Sequence, residues 1–167
     1  FISNQDGTFT ERSRQWGISD TFSGRGVVCM DYDRDGDVDI VVSNHEQRPV
    51  LYANRHNDDA SNNYLSITLR DSTQNTRALG AKVHVTTGNT TQLQEVRAGG
   101  GFLSGAPSTL HFGLGDASQA DTITIEWPDK TGSVSTFHNI PANQFLYIQA
   151  DRGTIEQRSP SPPPQSQ

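Results

Sequence analysis

Cysteine is almost absent: Cys29 is the single thiol among 167 residues. An internal disulfide and a thiolate metal site are therefore both excluded. Set in Val27-Val-Cys-Met30, Cys29 reads as a small buried hydrophobe. Long apolar runs are missing too, and none approaches the roughly 20 residues of a membrane span. Positive charge is in short supply, with 13 Lys and Arg against 19 Asp and Glu and a net charge of -6. That balance argues against nucleic acid or an anionic membrane as a partner and suits a bound cation. Helical periodicity is also lacking, since no long window places apolar residues at i, i+3, i+4 and i+7. The chain opens on Phe1-Ile-Ser-Asn4, which is no natural translation start, so it reads as a mature or trimmed fragment, with any export signal lost upstream.

What the sequence does have is alternation at period two, which predicts strands. Residues 64–70 place Leu65, Ile67 and Leu69 on one face, and residues 81–87 do the same with Ala81, Val83 and Val85. Residues 109–114 align Leu110, Phe112 and Leu114, residues 122–127 align Ile123, Ile125 and Trp127, and residues 145–149 make a further strand. Turn signals separate them, at residues 87–89, 99–101, 113–116 and 129–132. This is the pattern of a β-sandwich or barrel. The first third differs: a short strand at 26–30, an aspartate-rich loop, then an apolar strand at 40–42. Residues 55–63 read as a polar linker, and Ser159-Pro-Ser-Pro-Pro-Pro-Gln-Ser-Gln167 reads as an extended proline-rich segment held by some other surface. The fold class expected is all-β, with units at 1–58 and 62–150 and a tail at 151–167.

The aspartate loop carries the clearest chemistry. In Asp31-Tyr-Asp-Arg-Asp-Gly-Asp-Val-Asp39, carboxylates stand at positions 1, 3, 5 and 9 and glycine at position 6. Calcium takes about six to eight hard oxygens, and a tight loop aims alternate side chains at one centre. Gly36 permits the sharp turn. The expected ligands are the side chains of Asp31, Asp33, Asp35 and Asp39 with the backbone carbonyl of Asp37, and the expected cofactor is Ca2+. An EF-hand would need glutamate at position 12, where this chain has Val42 in an apolar strand. The loop therefore joins two strands. Five aspartates within nine residues, offset by Arg34 alone, repel one another unless a cation is present. A solvated acidic turn is the bland alternative.

These residues resemble the FG-GAP/VCBS repeat, the calcium-loop blade of integrin-like β-propellers. Asn4-Gln-Asp-Gly-Thr-Phe9 resembles the closing strand of one repeat, residues 26–40 the core of the next, and Val50-Leu-Tyr-Ala-Asn54 its following strand. A propeller needs about four to eight blades, so this chain alone cannot close one. The second part resembles the ASPIC/UnbV domain in Ala78-Leu-Gly-Ala-Lys-Val-His-Val85, Gln94-Glu-Val-Arg-Ala-Gly-Gly-Gly-Phe102, Leu110-His-Phe-Gly-Leu-Gly115, Ile123-Thr-Ile-Glu-Trp-Pro128 and Asn143-Gln144. The resemblance covers about residues 62–150. It implies a β-rich extracellular or cell-surface module of adhesion or matrix proteins, without enzymatic activity.

Other signals are weaker. Gly99-Gly-Gly101 lacks the Gly-Lys-Ser/Thr of a phosphate loop and reads as a turn or close backbone approach. Ser104 fails the spacing of a nucleophile elbow. The five histidines have no ligand spacing; His84 lies on a polar strand face, and His111 is expected to pack near the Gly113 turn. Glu126 and Asp129 flank Trp127 as a glycosidase pair would, but Trp127 alternates with core residues. Asn89-Thr-Thr91 is a glycosylation sequon, so glycans are a possible decoration. The expected function is a calcium-stabilised, non-catalytic structural or adhesion module, with a protein partner or self-association through edge strands into a head-to-tail filament. The alternatives are a carbohydrate-binding module using Trp127, Tyr147 or Trp16, and an accessory domain of a secreted enzyme.

Overall fold

The computed structural model describes residues 1–55, 62–150 and 155–158. Thirteen strands and no helix are found among them. The short elements come first: β1 (Ile2–Ser3) and β2 (Phe9–Thr10) form a small hairpin, and β3 (Gly24–Met30), β4 (Asp39–Asn44) and β5 (Val50–Tyr52) form a three-stranded antiparallel sheet. Residues 4–8 thus make a hairpin turn rather than part of a closing strand, with the Asn4 amide donating to the Thr8 carbonyl at 3.0 Å. The polar run Asp6-Gly7-Thr8 favours that turn, because the Asp6 carboxylate accepts from the Thr8 amide at 2.9 Å.

The larger unit is a sandwich of two four-stranded sheets. One runs β13 (Ile155–Arg158), β12 (Gln144–Gln149), β6 (Asn63–Arg70), β9 (Leu110–Gly115). The other runs β11 (Val134–Pro141), β10 (Gln119–Glu126), β7 (Lys82–Thr87), β8 (Thr90–Glu95). All pairs are antiparallel except β12 with β6. Alternating side chains from the two inner faces meet in one core: Leu65, Ile67, Leu69, Phe112, Leu146 and Ile148 from the first sheet, Val83, Val85, Ile123 and Ile125 from the second. Trp127 joins them and satisfies its indole N–H on Ser135 Oγ at 2.9 Å. Glutamine side chains seal one seam between the sheets. Gln92 and Gln94 in β8 donate to the carbonyls of Gly113 and His111 in β9, at 2.6 and 2.5 Å.

Several expectations are corrected. Cys29 is exposed, not buried, because β3 turns Gly26, Val28 and Met30 inward and leaves Val27 and Cys29 outside. Part of the supposed tail, residues 155–158, pairs with β12; the proline-rich residues 159–167 lie outside the described residues, as do 56–61 of the linker. The turn expected at Gly113 begins later, since β9 continues to Gly115, which takes φ +57°. Three strands gave little alternation to read: β8, β11 and β13 lie at sheet edges.

Candidate metal centre

The aspartate loop is the connection between β3 and β4, whose register pairs Met30 with Asp39. Closing so short a connection forces left-handed backbone at Arg34 (φ +64°) and Gly36 (φ +98°). At Gly36 a side chain is excluded twice over. A Cβ there would sit 2.1 Å from Cε1 of Tyr64, the second residue of β6 in the sandwich. Tyr64 in turn stacks on His111, with ring centroids 5.6 Å apart, and meets Phe145 edge-on at 5.7 Å. Its backbone is clamped as well, since the Asn143 amide donates to the Tyr64 carbonyl at 2.7 Å. The aspartate loop is thus pressed against a fixed aromatic group of the sandwich. A second contact lies beyond it: the Val27 amide donates to Ser104 Oγ at 2.9 Å, and the Leu103 carbonyl lies where a Cβ on Gly26 would fall. That is the close approach expected of the glycine-rich 99–101 region, placed at Gly26 rather than at those glycines.

Within the loop the fold brings Asp31, Asp33 and Asp39 together, with one carboxylate oxygen of each lying within 4.8 Å of the others. Asp39 is fully buried and is held from both sides: Oδ2 accepts from the Tyr32 amide at 3.0 Å and Oδ1 from the Asn54 amide at 2.8 Å. Asp31 accepts from the Gly36 amide through Oδ2, at 3.2 Å. Its other oxygen, and Oδ1 of Asp33, are buried without any hydrogen-bond partner. Neither residue has a cationic side chain paired to it among the described residues. Asp35 caps the loop's own backbone, accepting from the Asp37 amide at 2.8 Å, and stands outside the three-carboxylate group. Asp37 is buried, and its side chain is likewise outside that group.

Buried carboxylate oxygens with no donor are costly. The electrostatics register that cost: burial pushes the Asp31 carboxyl up to about 6, helped by the charges of Asp35 and Asp33 and opposed by backbone donors at Arg34 and Gly36. Asp35 is raised by burial first, then by its acidic neighbours. The Tyr64 hydroxyl is raised by burial and by the charges of Asp31 and Asp35, while burial lowers His111. An all-oxygen donor set with two orphaned carboxylate oxygens fits a hard divalent cation.

The remaining candidates have ordinary employment. Glu126 bonds His84 at 3.1 Å, and Asp129 organises the 129–133 turn, where hydrogen bonds from Ser133 and Thr131 hold its carboxyl well below the usual carboxylate range. Trp127 is in the core, which removes it as a sugar platform; Trp16 is exposed and Tyr147 is half-buried. Asn89 is exposed at the β7–β8 turn.

Comparison with known families agrees with this division of the chain. The family model for ASPIC and UnbV matches residues 71–155, a little over half of the chain. The chain belongs to the ASPIC and UnbV family. An FG-GAP-like repeat matches residues 1–42, which contain the whole aspartate loop. Curated relatives include cartilage acidic protein 1 of Mus musculus, 35% identical over 112 residues, and that of Homo sapiens, 34% identical over 112 residues. Each alignment takes in 64% of this chain and 16% of the relative, so the chain spans about a sixth of the length of those proteins. The ASPIC/UnbV sandwich therefore follows an FG-GAP-like unit whose acidic cluster can hold a metal ion.

Proposed function

We propose that this chain is a non-catalytic, extracellular calcium-binding module in which the ion fixes the FG-GAP-like unit against the ASPIC/UnbV sandwich. The observation that carries the reading is the pair of buried, unpartnered oxygens on Asp31 and Asp33 beside the anchored carboxylate of Asp39. Asp31, Asp33 and Asp39 would hold the ion, with Asp35 and the Asp37 carbonyl completing the shell from the same loop. Bound calcium supplies the positive charge that the loop lacks. The chain's own residues do the rest: Gly36 allows the turn, and Tyr64 receives the loop on a ring fixed by His111, Phe145 and Asn143. The family and the relatives named for cartilage support the extracellular setting. Calorimetric titration of demetallated protein tests the site. A 1:1 calcium isotherm lost in Asp33→Ala is the expected result, and no binding heat in the parent chain would end the proposal.

Partner binding is the second part of the reading. Phe1, Phe9, Phe102, Leu103 and Val27 are exposed, and β5 ends its sheet with an open edge among the described residues. Exposed apolar groups and free edges favour docking of a protein partner or of a second copy, head to tail. Light scattering in millimolar calcium across a range of protein concentrations separates the two, since only self-association raises the mass of the purified chain.

A further inference from the structure

Between the aspartate loop and the sandwich lies a cleft of about 510 Å3, a size typical of small-molecule sites. Its floor is the outer face of β6 and β12. Ser66 and Thr68 point away from the sandwich core, yet they are only 4% and 7% exposed, flanked on the sheet by Phe145, His111 and Tyr147, with Met30, Arg34 and Val38 of the FG-GAP-like unit also lining the cleft. Thr68 Oγ1 and Thr109 Oγ1 face each other at 2.9 Å, and Tyr147 lies half-buried beside them. At the rim, Arg97 directs both Nε and Nη2 at one oxygen of Glu95, at 3.1 and 3.0 Å. The other Glu95 oxygen makes no hydrogen bond among the described residues. Arg34 faces this rim from the metal loop, exposed and without an ion pair there.

The cleft thus offers an aromatic ring, two hydroxyls, an amphiprotic guanidinium–carboxylate pair and a second guanidinium. Hydroxyl-bearing rings suit such a set: each hydroxyl donates to a carboxylate and accepts from a guanidinium, while C–H faces pack on tyrosine. Charge argues against an acidic ligand, since the chain carries -6 and the adjoining loop five aspartates. The topology argues against an extended peptide. β6 is flanked by β12 and β9, and β12 by β13, so the floor strands have no open edge, and at the edge strand β9 the carbonyls of His111 and Gly113 are already taken by Gln94 and Gln92 of β8.

We infer that this cleft is a binding site for a neutral oligosaccharide, assembled when calcium seats the loop on Tyr64. The inference rests on the calcium reading above, because Arg34, Met30 and Val38 form one wall of the cleft and belong to the metal loop and its flanks.

The test is titration of the calcium-loaded chain with cellotriose, mannotriose and maltotriose, alongside a glucuronate-containing tetrasaccharide and an aspartate-rich peptide. At least one neutral trisaccharide is expected to bind, at least about tenfold more weakly in Tyr147→Ala and in Arg97→Ala. Arg97 is a rim residue with its side chain 68% exposed, so its variant keeps the test valid if Tyr147→Ala fails to fold. Trp16→Ala is expected to leave binding unchanged. Binding of none of the three sugars overturns the inference, as does tighter binding of the acidic tetrasaccharide or the peptide, or a loss confined to the Trp16 variant. Calcium affinity is measured on the same samples. Calcium bound without sugar overturns this inference alone; no calcium overturns the reading beneath it.

Discussion

Replacing Gly36 with alanine probes the joint between the two units. The new Cβ meets two separate obstacles. At φ +98° an L side chain is strained, which costs about 1–3 kcal/mol. The Cβ also lands 2.1 Å from Cε1, 2.5 Å from Cδ1 and 2.7 Å from Cζ of Tyr64, so the ring has to move. That ring is pinned between His111 and Phe145, and forced repacking of this kind costs about 1–3 kcal/mol more. Gly36→Ala should therefore lose about 2–6 kcal/mol, and the two parts separate in a double-mutant cycle. In a Tyr64→Ala background only the backbone strain remains, so the second alanine should be cheaper by about 1–3 kcal/mol. Urea melts of the four proteins in saturating calcium, followed by tyrosine and tryptophan fluorescence, give the cycle. Additivity within about 0.5 kcal/mol would refute the reasoning, because it would mean the loop does not rest on Tyr64.

The loop aspartates should divide by what already holds them. Asp39→Ala removes the acceptor of the Tyr32 and Asn54 amides, so it should destabilise even metal-free protein by about 0.5–1.5 kcal/mol per lost hydrogen bond, read from urea melts. Asp33→Ala removes an oxygen with no partner, so it should abolish tight calcium binding in calorimetry with little cost to the metal-free fold. Ile125→Ala, in the fully buried core, should cost about 2–5 kcal/mol in the same melts; a cost below about 1 kcal/mol would indicate a different register. The pH response follows from Asp31. Its folded value of about 6 lies above the ordinary 3.8, so its contribution to metal-free stability is fully present below 3.8 and is lost as pH rises through about 6. Demetallated parent chain should therefore gain stability relative to Asp31→Asn on going from pH 7 to pH 5, a comparison that cancels the opposite response of His111, and calcium affinity should fall about tenfold over the same step as protons compete for the carboxylate.

Much of the sandwich was legible because burial on one face imposes alternation. Leu65, Ile67, Val83, Val85, Leu110, Phe112, Ile123, Ile125 and Trp127 all lie in the core that their spacing predicts. Edge strands were harder. β8, Thr-Thr-Gln-Leu-Gln-Glu, carries one aliphatic residue, and that residue, Leu93, is 56% exposed; its work is done by Gln92 and Gln94 bonding carbonyls of the opposite sheet. Such contacts have no periodic signature. Cys29 misled because β3 is covered on one face only, and a short apolar run does not say which face is inside. The acidic loop was legible from spacing, since ligand geometry dictates alternate carboxylates around a glycine turn. What spacing did not carry was the partner surface. Tyr64 and His111 are far from the loop in sequence, and nothing in their own neighbourhoods marks them as its seat. The second constraint on Gly36 is visible only once the ring is placed.

The most direct measurement is the melting of demetallated protein as calcium is added back, with Asp33→Ala in parallel. The account predicts a rise in Tm that keeps growing with free calcium, equivalent to about 2.7 kcal/mol at a hundred times Kd, and no such rise in the variant. Identical melting of the parent chain with and without calcium would contradict it.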